Sequence, residues 1–243
     1  MTKPGMAPVT WDKEIMQELQ QERTDQELFD GYGKLSTAAV SDALDALRLP
    51  GSAAGLSAVV DCRRMIGRAF TVRYVPAALE PGSVGDYIDE VPAGAVVVID
   101  NAARTDCTVW GGILTEVASR RALAGTVING VCRDVATSRE LDYPLFTRGR
   151  FMRTGKDRVE VPETGGLVSL GDVRVLPGDL LIGDDDGVVV VPRSHEARVL
   201  EVAQRLQAAE DRIIDAVRGG ASLEEARRAN GYHQLQRAGY LTN

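Results

Sequence analysis

The sequence of 243 residues contains few of the residues that build disulfide frameworks or zinc sites. It has two histidines, His195 and His233, and three cysteines, Cys62, Cys107 and Cys132. An odd number of widely spaced cysteines argues against a disulfide framework and favours reduced thiols. The absence of an HExxH motif and of any Cys/His cluster argues against zinc.

Long apolar runs are also missing. The longest, such as 188–191, fall far short of a membrane span, and the N-terminal residues lack the apolar segment of a secretory signal. The formal net charge is −7, and no basic stripe suited to a phosphate backbone is present. These absences predict a cytoplasmic protein that binds neither membrane nor nucleic acid.

What the sequence does contain is a strand–helix–strand pattern in its middle. The β-branched run 95–100 predicts a strand buried on both faces, and 126–131 predicts a second one. Between them, 110–125 predicts a helix ended by Gly125, with an apolar face formed by Ile113, Leu114, Val117, Ala118 and Leu123. This pattern is typical of a βαβ unit.

The flanking regions predict helices at both ends and short strands between. Helices are expected over 11–31, stopped by Gly31; 34–47, capped near Ser36 or Thr37; 194–217, started by Ser194; and 223–229, with a Ser222/Glu225 capping box. Short strands are expected over 158–161, 173–175, 180–183 and 187–192, with a hairpin turn rather than a calcium loop at 184–187.

We therefore predict a single α/β domain with a mixed sheet. Its parts would be an N-terminal helical arm over 1–33, a core over 34–193 and a C-terminal helical arm over 194–243. No neighbouring segment of the sequence is predicted to pack against the apolar faces of these arms, which favours subunit contacts.

Gly111 and Gly112 stand between the first strand of the βαβ unit and its helix. Glycines there allow a ligand to approach the backbone, and the free N–H groups of a helix start favour an anion. The alternative is that a tight turn requires them. No Walker loop, GxGxxG or GxSxG motif is present.

Arg133 and Asp134 follow the second strand of the same unit. Because the carboxyl ends of parallel strands share one crevice, this pair and the start of the helix are expected to face the same space. Arginine suits a carboxylate and aspartate suits Mg²⁺. The alternative is that Asp134 caps the helix that follows.

Two further acids, Glu116 and Asp106, are the nearest spare carboxylates for proton transfer. The alternative for each is a solvated surface acid.

The segment 110–134 resembles the core signature of the RraA-like family, which includes regulators of ribonuclease activity and 4-hydroxy-4-methyl-2-oxoglutarate aldolases. Further segments agree in order, so that the resemblance covers about 34–233: 36–45, 139–149, 177–192 and 229–233. It implies a swivelling β/β/α-type fold and a homotrimer or hexamer with its active site at a subunit interface.

The resemblance also implies roles for individual residues. Asp134 would hold Mg²⁺ or Mn²⁺, and Arg133 would contact the pyruvate part of the substrate. Backbone amides of Gly112, Ile113 and Leu114 would hold its carboxylate, beside Gly111. The aldolases carry an acid 21 residues before the arginine, where this chain has Gly112.

The sequence therefore predicts two alternative functions. The first is a metal-dependent carbon–carbon lyase, of the aldolase or oxaloacetate decarboxylase type, which acts on a small anionic 2-oxo acid through a pyruvate-like enolate. Arg133, Asp134 and Glu116 would be its catalytic residues. The second is a non-catalytic regulator that binds a protein partner, and a different metal-dependent reaction remains open.

Overall fold

A mixed eight-stranded sheet forms the centre of the protein, as seen in a computed structural model that describes residues 25–59, 61, 64–80 and 82–231. Its order is β1-β5-β4-β3-β2-β9-β10, and β6 pairs with the second half of β2. The strands are β1 (Ser57–Ala58), β2 (Met65–Pro76), β3 (Val96–Thr108), β4 (Gly125–Cys132), β5 (Leu145–Arg150), β6 (Val159–Thr164), β9 (Leu180–Asp184) and β10 (Gly187–Val191). A separate hairpin joins β7 (Val168–Leu170) and β8 (Val173–Val175).

Helices surround this sheet. They are α1 (25–32), α2 (Thr37–Ala46), α3 (Gly112–Arg120), α4 (Val135–Glu140), α5 (Glu196–Arg218) and α6 (Leu223–Ala229). Two short 3₁₀ helices cover Asp86–Glu90 and Arg193–His195. The expectation of a mixed α/β fold is confirmed. The domain boundaries inferred from sequence stay a prediction.

The centre of the sheet is parallel because β2, β3, β4 and β5 are joined through crossover segments. Residues 96–99 of β3 have no exposed surface, which confirms the strand predicted from its β-branched run. Complete burial of each such side chain contributes about 1.5–3 kcal/mol. The ends of β3 and β4 lie side by side, with Thr108 in register with Val131.

Side chains of β3 alternate between two apolar clusters. Val97 and Ile99 pack in the cluster beneath α3 and α4, whereas Val96 and Val98 pack in a cluster shared with the β7–β8 hairpin and β10. A third cluster joins α2 and α5 to β9 and β10. The βαβ unit is thereby fixed from both faces of the sheet.

The crossover helix is shorter than predicted. It ends at Arg120, and the chain reverses through Ala122, whose φ is 54°. Gly125 is therefore the first residue of β4 and not a helix cap. Its Cβ would lie 2.9 Å from the carbonyl oxygen of Pro144, so close packing of strands explains this glycine. Ile113, predicted on the apolar face, is 83% exposed because it lies in the first turn of the helix, outside the apolar clusters.

The terminal helices also differ from expectation. The Ser194 hydroxyl contacts Nδ1 of the exposed His195 and does not cap α5, which starts after a 3₁₀ turn. The first half of the apolar face of α5 is covered by α2 and the β9–β10 hairpin, whereas Ile214 and Val217 near its end are exposed. Subunit contacts through this arm stay a prediction. Gly31 lies within α1, which continues to residue 32. The predicted helix over 11–24 lies outside the described residues.

Other local predictions are confirmed. Ser36 caps α2, and the turn at 184–187 joins β9 and β10. The capping box of Ser222 and Glu225 is present at α6.

One buried carboxylate joins the turn before β9 to the segment that leads into α5. Asp179 is 6% exposed, and its Oδ2 accepts a hydrogen bond of 2.8 Å from the N–H of Leu176. Its Oδ1 accepts one of 3.0 Å from the N–H of Arg193.

The substitution Asp179→Ala is expected to lower the free energy of unfolding by about 2–3 kcal/mol, because it leaves two backbone donors without an acceptor. Urea denaturation would measure the change. The matched control is Asp172→Ala in the exposed turn between β7 and β8, expected to cost under about 0.5 kcal/mol. Equal effects of the two substitutions would show that the carboxylate does not stabilise this junction.

Candidate active site

The loop after β3 is tied to the end of β4 by the buried side chain of Thr108. Its hydroxyl donates to the carbonyl of Trp110 at 2.8 Å, lies 3.1 Å from the carbonyl of Val131, and accepts from the N–H of Trp110 at 3.2 Å. The N–H of Arg133 donates to the carbonyl of Trp110 at 3.0 Å. These bonds hold the two strand ends and their loops as one unit.

Trp110 fixes the first turn of α3. Its Nε1 donates to the Thr115 hydroxyl at 2.9 Å, and that hydroxyl donates to the carbonyl of Gly111 at 3.1 Å. The indole is almost fully buried and stacks on Tyr143 with ring centroids 6.3 Å apart. The start of the helix is therefore positioned by packing as well as by the strand.

Asp134 lies at the position of a helix cap but does not act as one. Its backbone is left-handed, with φ 55° and ψ 42°, and its side chain makes no capping bond to α4. Instead, Oδ2 accepts a hydrogen bond of 2.9 Å from the N–H of Gly112, the first residue of α3. The carboxylate thus faces the neighbouring helix start, and the simple capping interpretation is wrong.

Gly111 allows this close approach. A Cβ at this position would lie 2.8 Å from Oδ2 of Asp134 and 3.2 Å from Nε of Arg133. The backbone of Gly111 is extended, with φ −150°, so its need for glycine is steric and not conformational. At Gly112 a Cβ would lie 3.1 Å from the Thr137 hydroxyl and 3.4 Å from Cβ of Asp134, which is tight but milder.

The first turn of α3 also offers free donors. The N–H of Gly112 bonds to Asp134 and the N–H of Thr115 bonds to Gly111. Within the described residues, the N–H groups of Ile113 and Leu114 have no acceptor, as expected for the first turn of a helix. Two adjacent free N–H groups at a helix start favour an anion.

Arg133 lies beside these donors. Its Nε is 3.5 Å from Oδ2 of Asp134, and its side chain is 40% exposed. Its Nη1 is 3.5 Å from the carbonyl of Met152, a long contact. Most of the guanidinium donors are therefore available to a ligand in the same crevice.

A pocket of about 370 Å³ opens over this helix start and contains Gly111, Gly112, Ile113, Leu114, Arg133 and Asp134 together. The sequence-based expectation that these residues share one space is confirmed. The other residues that line the pocket are Val117 of α3; Val84, Gly85, Asp86, Ile88 and Asp89; Thr108, Val109 and Trp110; and Thr154 and Gly155.

The two spare acids predicted from sequence do not line this pocket. Glu116 is exposed on α3. Asp106 pairs with Arg104 at 2.9 Å, and this hydrogen-bonded guanidinium lowers the pKa of Asp106 to about 2. Their roles in proton transfer stay predictions. The structure instead places Asp86 and Asp89 at the pocket, and neither residue belongs to a motif that sequence analysis singled out.

The donor set suits a hard divalent ion. Across the described part of the chain, no three His, Cys, Asp or Glu side chains come together as a metal cluster. Asp134 is 49% exposed, and its second oxygen, Oδ1, has no partner among the described residues. Mg²⁺ binds through one or two carboxylates and retains water ligands, so a single exposed carboxylate fits Mg²⁺ or Mn²⁺ better than zinc.

Cys107 and Cys132 do not line the pocket. They are free and buried, which agrees with the predicted reduced thiols. Burial raises the pKa of Cys132 to about 11. Cys62 lies outside the described residues. No helix among the described residues is both long and apolar enough to cross a membrane.

The chain is similar to several known proteins. A family model described as RraA-like, Aldolase/RraA, matches residues 37–190. The protein DlpA of Legionella pneumophila is 37% identical over 82% of this chain, although the chain spans only about a third (33%) of its length. A putative 4-hydroxy-4-methyl-2-oxoglutarate aldolase of Halalkalibacterium halodurans is 34% identical, covering 73% of this chain and 82% of that protein.

One solved structure has a similar fold. The crystal structure of an uncharacterised protein from Pseudomonas syringae is 42% identical with a TM-score of 0.78, covering 83% of this chain and 97% of that one.

The substitution Gly111→Ala is expected to displace the Asp134 carboxylate, because the new methyl group would overlap Oδ2. Mn²⁺ affinity measured by calorimetry should fall about tenfold or more, as for other changes that misplace a metal ligand. Gly112→Ala is the matched control, with an expected loss of under about threefold. If both variants bind Mn²⁺ like the parent protein, Asp134 does not hold the ion.

Proposed function

Because the chain belongs to the RraA-like family, we propose that it is a divalent-metal-dependent lyase that cleaves a carbon–carbon bond of a small 2-oxo acid. The observation that carries the proposal is the placement of the Asp134 carboxylate against the free start of α3, with Arg133 beside it. Relatives named as 4-hydroxy-4-methyl-2-oxoglutarate aldolases support lyase chemistry of this type.

The substrate carboxylate would bind at the first turn of α3. The N–H groups of Ile113 and Leu114 would donate to it, and the guanidinium of Arg133 would add a charged donor from the side. The Thr108 and Trp110 contacts keep these donors fixed, so that little reorganisation is needed on binding.

Asp134 would hold Mg²⁺ or Mn²⁺ through its exposed oxygen, while the N–H of Gly112 orients the other oxygen. An ion bound there would supply Lewis acidity to the 2-oxo group. The first turn of α3 would hold the carboxylate end of the substrate, and the pocket would contain the rest of the molecule.

Cleavage of that bond leaves its electron pair on the pyruvate fragment as an enolate. The negative charge develops beside Arg133 and the two free N–H groups of α3, whose positive charge and dipoles stabilise it. Retro-aldol cleavage and decarboxylation of a 3-carboxylated substrate both produce this fragment. Glu116 remains a candidate for the proton transfer that follows, acting from outside the pocket lining.

The family description pairs aldolases with RraA proteins, so a regulatory role is the second candidate. Two large apolar side chains beside the pocket would suit a protein contact: Ile113 is 83% exposed and Met152 is 73% exposed.

We propose that a second copy of the chain covers Ile113 and Met152, in a homotrimer or hexamer. We also propose that the protein is cytoplasmic.

Metal-dependent pyruvate release is the first expected outcome. The protein would be offered oxaloacetate and 4-hydroxy-4-methyl-2-oxoglutarate with Mg²⁺, Mn²⁺ or EDTA, and pyruvate would be followed with lactate dehydrogenase. Asp134→Asn should lower the rate by at least about a hundredfold, because it removes the charge that holds the ion. Asparagine also tolerates the left-handed backbone of this position.

Asp172→Asn is the control in this assay, and reactions without protein correct for decarboxylation by the metal alone. Calorimetry with Mn²⁺ should show binding to the parent protein and to Asp172→Asn but not to Asp134→Asn. Unchanged activity of Asp134→Asn would contradict the mechanism. An absence of both pyruvate and metal binding in the parent protein would favour the regulatory role.

The second expected outcome concerns assembly. Light scattering should give a mass of about three or six times that of the 26.1 kDa chain. Met152→Glu should lower this mass, because it places a charge in the proposed contact. Leu223→Glu, at an exposed leucine on α6, is the control and should leave the mass unchanged. A monomeric parent protein would contradict the proposal.

A further inference from the structure

The pocket has two walls of opposite character. One wall carries Arg133 and the free N–H groups of α3, which suit an anion. Another wall is the 3₁₀ helix Asp86–Glu90, which contributes Asp86 and Asp89. A ligand that fills the pocket therefore meets both positive charge and carboxylates among its lining residues.

The acidic wall is held in place by packing. Tyr87 and Ile88 are buried in the apolar cluster beneath α3, between the two aspartates. The hydroxyl of Tyr74 donates to the carbonyl of Val84 at the start of the wall. Gly85 packs so closely on α3 that a Cβ there would lie 3.1 Å from Cδ2 of Leu114.

The far end of the wall is fixed as well. Nη2 of Arg121 donates to the carbonyl of Asp89 at 2.8 Å and is 3.2 Å from the carbonyl of Val91. The backbone of the wall is thus bound to β2 at one end and to the end of α3 at the other.

The negative charge of this wall is only partly offset. Oδ1 of Asp89 lies 4.0 Å from Nη1 of Arg121, and Asp89 is 79% exposed, so solvent screens that pair. The carboxylate of Asp86 has no cationic or hydrogen-bonding partner within the described residues. Among the lining residues, Arg133 is the single cation.

We propose that this pocket prefers 2-oxo acids whose only negative charge is the carboxylate next to the oxo group, and whose distal end carries hydroxyl groups, over dianions such as oxaloacetate, which it would turn over more slowly. Asp86, assisted by Asp89, is the specificity determinant. This inference rests on the proposed function, because it assumes that the substrate carboxylate lies at α3.

The physical reason is the sign of the charge at the distal end. A hydroxyl group there can donate a hydrogen bond to an aspartate carboxylate, whereas a second carboxylate meets like charge and has no donor. Val84, Ile88, Leu114 and Val117 provide apolar contact for the carbon chain between the ends. The volume of about 370 Å³ suits a small molecule.

A matched pair of five-carbon compounds tests the selection directly. 4,5-Dihydroxy-2-oxopentanoate ends in CH₂OH, and 4-hydroxy-2-oxopentanedioate ends in a carboxylate. In each, the C4 hydroxyl loses its proton, the C3–C4 bond breaks and its electron pair passes to the pyruvate fragment, which is protonated at C3. The second product is glycolaldehyde or glyoxylate.

The expected result is a kcat/KM at least about tenfold higher for the monoanion at low salt. Asp86→Asn should reduce this ratio by about threefold to tenfold, mainly by raising kcat/KM for the dianion. Asp86→Glu should keep the preference, and Asp172→Asn should leave it unchanged. Raised ionic strength should shrink the ratio, because the wall is exposed.

Binding separates this inference from the proposed function. 5-Hydroxy-2-oxopentanoate and 2-oxoglutarate lack the 4-hydroxyl group and cannot undergo the retro-aldol step, so calorimetry with Mg²⁺ measures their affinities alone. Preferential binding of the monoanion without pyruvate release from either substrate would contradict the lyase and leave the charge selection standing. Equal turnover of both substrates, unaltered in Asp86→Asn, would overturn the selection and leave the lyase.

Discussion

The hydrogen bond from the N–H of Gly112 to the carboxylate of Asp134 organises this site. It joins the first residue of α3 to the second residue after β4, and so it aligns the two halves of the crevice. A left-handed backbone costs a non-glycine residue about 1–2 kcal/mol. At Asp134 this strain turns the carboxylate away from its own helix, and a charge-assisted bond to a helix start offsets the cost.

That bond depends on how the parallel sheet ends. Two register shifts in β3, between Asp100 and Arg104 and between Arg104 and Thr108, make β3 longer than the segment of β4 beside it. Thr108 can then lie next to Val131, and its hydroxyl bridges both loops. Trp110, stacked on Tyr143, links Thr108 to the first turn of α3 and so fixes where the helix starts. The crevice lies at the carboxyl ends of parallel strands, where open α/β sheets commonly bind ligands.

The sequence predicted the parts of the site that follow from strand order. Arg133 and Asp134 follow one buried parallel strand, and Gly111 and Gly112 lie between the neighbouring strand and its crossover helix, so their proximity required only the topology. The direction of the Asp134 side chain was not predictable, because a capping aspartate and a left-handed aspartate have the same local sequence. Asp86 was missed because its place at the pocket depends on the burial of Tyr87, a tertiary contact outside the motifs. The length of α3 was overestimated because a glycine after an apolar run resembles a helix cap.

The pocket of this chain has a glycine at position 112 and acidic residues on the 3₁₀ helix Asp86–Glu90. The resemblance implies that the aldolases carry an acid at the position that corresponds to Gly112, next to the groups that hold the pyruvate end. Here a side chain at 112 would press on Thr137 and Asp134, and the pocket acids lie on the 3₁₀ helix Asp86–Glu90. Gly85 packs on Leu114 of α3, and the next residue, Asp86, lines the same pocket. In the proposed selection, its carboxylate meets the distal part of the substrate. The same charge therefore acts on which substrate enters, through like-charge repulsion, and not on the proton that completes the reaction.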